Sequence, residues 1–222
     1  MNKIRLQLNE LRQLDQNNEL FGSDSHEYIL NPVITFDKIE QFEKNFKIKL
    51  PSDFSNFLLQ IGNGGAGPYY GLLSLEDSMF QDLDHSDDNY LLNPDKPFPH
   101  TDKWNIEFEG DEDDEDEYEK WFEEVYWKGD LIDGTIAISK YGCGIKILLV
   151  VNGIEKGNIW VDDRMNNTGI SPFDYFGNTA KITFLDWYEI WLEQSLEKVK
   201  TKRKTEKKVT LFTKEQQWWR FW

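Results

Sequence analysis

Cysteine is almost absent from this chain, with Cys143 alone among 222 residues. A single thiol excludes an internal disulfide framework and any site built from several thiolates, and it suits a reducing compartment. Histidine is nearly as scarce. His26, His85 and His100 are the only three, and none stands at the H-x-x-x-H spacing that sets two imidazoles on one helical face. No stretch reaches 18 consecutive apolar residues, and the opening MNKIRLQLNELRQLDQ lacks the unbroken apolar core of a signal peptide. These absences predict a soluble, cytoplasmic protein. Positive charge is also short, with 25 Lys and Arg against 41 Asp and Glu, a formal net charge of -16. Such a surface repels nucleic acid and anionic membrane and favours a cationic partner, although solubility alone would also account for it.

The charge is unevenly spread. Residues 1–195 carry 38 acidic and 16 basic side chains, a balance of -22, whereas 196–222 carry 9 basic and 3 acidic, a balance of +6. The acid is densest at Asp111 to Glu117, seven carboxylates in succession, and Ile106 to Glu124 holds twelve acidic residues against one Lys. Like charges at this density resist compaction and predict a solvated loop. Tyr118, Trp121, Phe122, Val125 and Tyr126 follow at near-helical spacing. Either this stripe docks a helix on the core, or acid and aromatics form one contact surface.

The chain is organised around LPSDFSNFLLQIGNGGAGPYYGLLSL, Leu50 to Leu75. Phe54, Phe57, Leu58 and Ile61 recur as one helical face entered through Pro51, and Asn63-Gly64-Gly65 stops the helix with residues that tolerate the left-handed conformation. Tyr70 to Leu75 then reads as a strand. Before it, Ile4, Leu8, Leu11 and Leu14 predict a first helix ending near Asn17. Phe36, Ile39, Phe42 and Phe46 predict a second, with Thr35 as N-cap and Ile34 packing on Ile39. Glu76 to Pro99 reads as irregular surface with at most a short helix, and Trp104 and Ile106 as a short strand or anchor.

Beyond the acid, Thr135–Ser139, Ile145–Val151 and Asn158–Asp162 read as strands separated by glycine turns, with the apolar middle one central. With the strand after Gly71 they predict a four-stranded sheet and an α+β fold. Thr183 with Asp186 resembles a capping box, Ile182 reaches Trp187, and Phe184, Trp187, Tyr188, Trp191, Leu192 and Leu196 form a broad apolar face. Residues 1–200 therefore read as one domain with an acidic insertion at 107–119. Residues 201–222 read as a basic aromatic tail, either a short helix from Thr213 or mobile.

Chemistry is hard to find. The DEDDEDE run lacks the glycine and alternating ligands of a calcium loop, and GNGGAG follows a helix and lacks the Lys-Ser/Thr of a phosphate loop. Cys143 between two glycines has no base at a diagnostic spacing, and carboxylates are too plentiful to single out a pair. The sequence predicts no catalytic residue, metal or cofactor.

Glu40 and Phe42 followed by LPSDFSNFLLQIGNGGAGPYYGLLSL resemble the signature of the SUKH superfamily, named for yeast cell-wall-synthesis regulators and their bacterial immunity-protein relatives. Leu50, Pro51, Phe54, Phe57, Leu58, Asn63, Gly64 and Gly65 are its structural positions here. FGSDSHEYIL, GTIAISKYGCGIKILLVVNGIEKGNIWVDD and TFLDWYEIWLE extend the resemblance over Phe21 to Leu196. It implies an α+β domain with helices around a central, largely antiparallel sheet and no established catalytic residues. It also implies an immunity protein that neutralises a toxin, often a nuclease. The acidic insertion and the tail are not part of the shared signature. Resemblance and charge together predict a toxin partner with a basic active-site face, met by Asp113, Asp114, Glu115, Asp116, Tyr118, Trp121 and Glu124, with no nucleic acid or membrane partner. A non-catalytic scaffold or regulatory adaptor is the alternative.

Overall fold

The computed structural model describes residues 2–79, 92–111 and 114–218, with side chains as far as residue 206 in the last helix. Its centre is an antiparallel sheet of β1 (Thr135–Gly142), β2 (Ile145–Val150), β3 (Ile159–Asp163) and β4 (Gly169–Pro172), in the order β1-β2-β3-β4. The near-continuous apolar run of β2 requires cover on both faces, and Ile147, Leu148, Leu149 and Val150 have no exposed surface. Cys143 and Gly144 make the β1–β2 turn with φ of 50° and 76°, the two left-handed residues that a tight hairpin demands.

The fourth strand is β4, not the segment after Gly71. Tyr70 to Leu75 does run along the outer edge of β1, and Leu73 N donates to Ile138 O at 2.9 Å. Irregularities in β1 between Ala137 and Ser139 and between Lys140 and Gly142 bend that edge, so only the Leu72–Ser139 bridge forms. At the opposite edge Trp104 exchanges two backbone hydrogen bonds with Ile170, each 2.8 Å, and closes β4 against further pairing.

Helices α1 (Asn2–Leu14), α2 (Phe36–Phe46), α3 (Ser52–Gln60) and α5 (Phe184–Trp218) share one hydrophobic core with the sheet. Phe54 and Phe57 meet Phe184 at 4.8 and 5.2 Å between ring centroids, and Phe57 meets Tyr188 at 4.7 Å. Each such ring fully buried contributes about 1.5–3 kcal/mol. Thr183 and Asp186 cap α5 reciprocally, with Thr183 Oγ1 donating to Asp186 Oδ2 at 2.8 Å and Asp186 N donating to Thr183 Oγ1 at 3.3 Å. Thr35 holds the N-cap position of α2, but its hydroxyl makes no capping bond. Helix α1 stops at Leu14, short of Asn17. There the buried Asp15 carboxylate accepts the Glu19 and Leu20 N–H groups at 2.9 and 3.2 Å, drawing the chain out of the helix.

Helix α5 runs through residue 200 without a break. No Gly or Pro interrupts Phe184–Trp218, and Lys200 pairs with Glu10 of α1 at 2.7 Å. No helix among the described residues is long and apolar enough to cross a membrane.

The corner after α3 joins three segments. Asn63 Oδ1 accepts the Leu75 N–H at 2.9 Å, Asn63 Nδ2 donates to Glu76 Oε2 at 2.9 Å, and Asn63 O accepts from Asn31 Nδ2 at 3.0 Å. Gly64 and Gly65 have φ of 90° and 89°, and a Cβ at Gly65 would lie 2.5 Å from Ile29 O. Both the dihedral and the close approach require glycine.

Candidate protein-binding surface

The pattern of charge predicts a solvated loop from Asp111 to Glu117, and the structure corrects this for the second half of the run. Helix α4 (Glu115–Trp121) starts inside it, capped by Asp114, whose Oδ1 accepts the Glu117 N–H at 3.1 Å. Glu115, Asp116 and Glu117 occupy the first turn, where the free N–H groups favour negative charge, and Lys120 occupies the last. The helix dipole and cap thus offset part of the repulsion that argues for a loop. Every side chain from Asp114 to Lys120 is exposed, while Asp113 lies outside the described residues.

At Trp121 the helix widens. Phe122–Tyr126 is a π-helical turn, closed by Trp127 N donating to Phe122 O at 2.7 Å. The extra residue per turn brings rings four and five apart into register. Phe122 stacks on Trp127 with centroids 5.8 Å and planes 10° apart. Tyr118 stacks on Phe122 at 6.2 Å, and Trp121 on Tyr126 at 5.2 Å. Phe108 meets Tyr118 and Trp121, both at 5.3 Å. Tyr118, Glu123, Glu124 and Val125 are exposed, Trp121 and Phe122 half-buried, and only Tyr126 is buried. Asp114, Glu115, Asp116, Tyr118, Trp121 and Glu124 therefore share one short arm. Beside it Ile106, Phe108, Tyr118, Trp121 and Tyr126 line an open cleft of ≈ 350 Å³.

The arm is anchored at its end. Tyr126 Oη donates to Asn105 Oδ1 at 2.7 Å, and burial pushes the phenol pKa up. Arg164 is fully buried, and its Nε and Nη2 donate to the two carboxylate oxygens of Asp162 at 2.7 and 2.8 Å. Its Nη1 donates to the carbonyls of Tyr126 and Lys128 at 3.3 and 3.0 Å, and the guanidinium lies 4.7 Å from the Trp127 ring centre. A bidentate ion pair, two main-chain bonds and a cation–π contact therefore join the arm to β3. Sequence reasoning missed Arg164. Its only local signal is a lone base directly after two acids at a strand end.

The residues that would carry bond-making chemistry stand in separate surroundings. His26 is buried against Tyr28 and Trp191, its Nδ1 accepts the Tyr28 N–H at 3.0 Å, and burial holds its pKa down to about 4. His100 Nε2 donates to Leu131 O at 2.9 Å among Phe98, Trp104 and Trp160, and burial lowers its pKa. Cys143 is exposed at the hairpin tip, and His85 lies outside the described residues. Among the described residues no group of three His, Cys, Asp or Glu side chains could hold a metal ion.

The profile of the SMI1 / KNR4 family (SUKH-1) matches residues 34–177, well over half of the chain. The chain belongs to this family. In this SUKH-1 protein the matched span runs from the buried Ile34, ahead of α2, through α3, the Asn63-Gly64-Gly65 corner, the arm and all four strands. It is narrower at both ends than the resemblance over Phe21 to Leu196 and leaves α1 and α5 outside. No curated protein and no solved structure matches the chain.

Proposed function

We propose that this SUKH-1 protein is an immunity protein that binds a bacterial toxin domain, a nuclease in the leading case, and neutralises it by laying the acidic and aromatic arm over its basic face. The observation that carries the reading is the arm itself, in which exposed carboxylates at Asp114 to Glu117 sit on the same short helix as Tyr118 and Trp121. Membership of SUKH-1 supports a protein partner.

The physical argument starts from the toxin. A nuclease must attract phosphates, so it presents a cationic groove, and a protein with clustered carboxylates competes for that groove through the same field. Exposed charges act over about 8 Å at physiological salt, so they chiefly speed encounter. Rings that become desolvated on docking hold the complex, and the ion pair beneath them keeps the arm in one shape. The immunity protein makes and breaks no bond, and it needs no cofactor.

Co-expression with each toxin-like domain encoded beside the gene tests this. One such domain should lose its toxicity and, once purified, its activity at a one-to-one ratio. If none is bound or inhibited while ordinary cellular proteins are retained, the protein is a scaffold and the proposal falls.

A further inference from the structure

A second aromatic surface lies at the β1–β2 hairpin, apart from the arm. Phe21 is 58% exposed, Tyr70 45% and Tyr175 40%. Their rings form a connected set through the half-buried Tyr141, with centroids of Phe21–Tyr70 at 5.4 Å, Phe21–Tyr141 at 5.5 Å and Tyr141–Tyr175 at 5.5 Å. Large apolar side chains this exposed and this contiguous are rare on a surface that only faces water.

The same place breaks local rules. Tyr69, beneath the patch, has φ of 59°, and its buried hydroxyl has no hydrogen-bond partner among the described residues. Departures of this kind collect where a chain serves something besides its own stability.

The patch is tied to the arm through the chain at the end of β3, without a direct contact. Tyr70 lies under Gly142, and on the other side of Cys143 the 55% exposed Met165 lies under Gly144. Met165 follows Arg164, whose guanidinium carries Trp127 of the arm. Carboxylates flank the rings: Asp24, three residues after Phe21, and Asp174, next to Tyr175, are exposed, the buried Asp163 accepts from the Tyr175 hydroxyl at 3.4 Å, and Lys140 beside Tyr141 is the base among them. Lys202 of α5 is already engaged by Glu19.

We infer that this patch is the second half of the toxin-binding surface. A toxin face with aliphatic or aromatic side chains at its centre and Lys or Arg at its rim seats on Phe21, Tyr70, Tyr141 and Tyr175 while its basic groove engages the arm. The inference rests on the immunity role proposed above. The occupant is chosen by charge. A second copy of this chain would bring its own acidic rim and a net charge of -16 to the contact, whereas a basic protein complements it. The division of labour is that the arm steers and the patch grips.

Cys143 is a built-in reporter, because it is the only cysteine and is exposed at the hairpin tip between Tyr70 and Met165. The test uses the full chain with each catalytically inactivated toxin-like domain encoded beside the gene, following maleimide attachment to Cys143 by intact mass. In the saturated complex labelling should slow at least ~10-fold. The double variant Phe21→Ala, Tyr175→Ala should stay folded with a modestly lower unfolding midpoint and keep its association rate to within about twofold, yet dissociate ~10- to 100-fold faster. Labelling of Cys143 at the free rate, with wild-type dissociation of the double variant, overturns the patch. If charge reversal on α4 still slows capture in that case, the immunity role stands without it. Failure of every neighbouring toxin domain to bind the wild-type protein overturns both.

Discussion

The Asn63-Gly64-Gly65 corner and the acidic arm are both short pieces of chain that leave a helix or enter one, and they solve opposite problems. The corner is sealed. Asn63 is buried with both side-chain groups paired, and the two glycines sit where any Cβ would strike backbone. The arm is open. Its carboxylates face water, and a single buried side chain, Arg164, reaches from the sheet to hold its far end. Tight packing fixes residue identity at the corner. Charge accumulates in the arm where no core depends on it, and that freedom suits the contact with a partner proposed above.

The sharpest way to break this contrast is to cut the Arg164 link between arm and body. Arg164→Met leaves the Asp162 carboxylate buried without its partner and should lower unfolding free energy by about 3–5 kcal/mol in urea titrations. Gly65→Ala should cost about 3 kcal/mol by the same measurement, through a left-handed non-glycine residue and a Cβ pressed on Ile29 O. Whatever remains folded should still bind a toxin domain as wild type does. An equal loss of affinity per folded molecule would place the corner in the interface.

Acid gives a third handle on the sealed side. The folded-state pKa of His26 lies near 4 against an ordinary 6.5, so the unfolded chain takes up its proton first. Its contribution is complete above pH 6.5, and about 3 kcal/mol is lost as the pH falls from 6.5 to about 4. Unfolding at stepped pH should show that slope, and His26→Asn, which keeps an acceptor near the Tyr28 N–H, should flatten it. The smallest effect on stability is expected in the arm. Tyr118→Ala should leave the unfolding midpoint in place and appear only as faster dissociation from a toxin domain.

What the sequence makes legible is what short-range spacing encodes. Thr183 and Asp186 are one helical turn apart, Phe54 and Phe57 share a face, and the turns at Cys143-Gly144 and Asn63-Gly64-Gly65 carry residues that accept positive φ. The features that spacing does not encode depend on distant partners or on a balance of opposing effects. β4 is only Gly-Ile-Ser-Pro, too short for alternation, and it becomes a strand because β3 and Trp104 flank it. The acid run becomes half helix because cap and dipole act against repulsion that composition alone overstates. Arg164 is invisible as an anchor, since the carbonyls it holds stand 38 and 36 positions earlier. The aromatic patch is split among Phe21, Tyr70, Tyr141 and Tyr175, four stretches that only the fold assembles.

The most direct measurement is the stopped-flow association rate with an inactivated neighbouring toxin domain, taken from low to high salt for wild type and for Glu115→Lys, Asp116→Lys, Glu124→Lys, which spares the Asp114 cap. The wild-type rate should fall steeply as salt screens the field, and the variant should start at least ~10-fold slower and converge with it at high salt. Identical rates at every ionic strength would contradict a binding surface built on the arm.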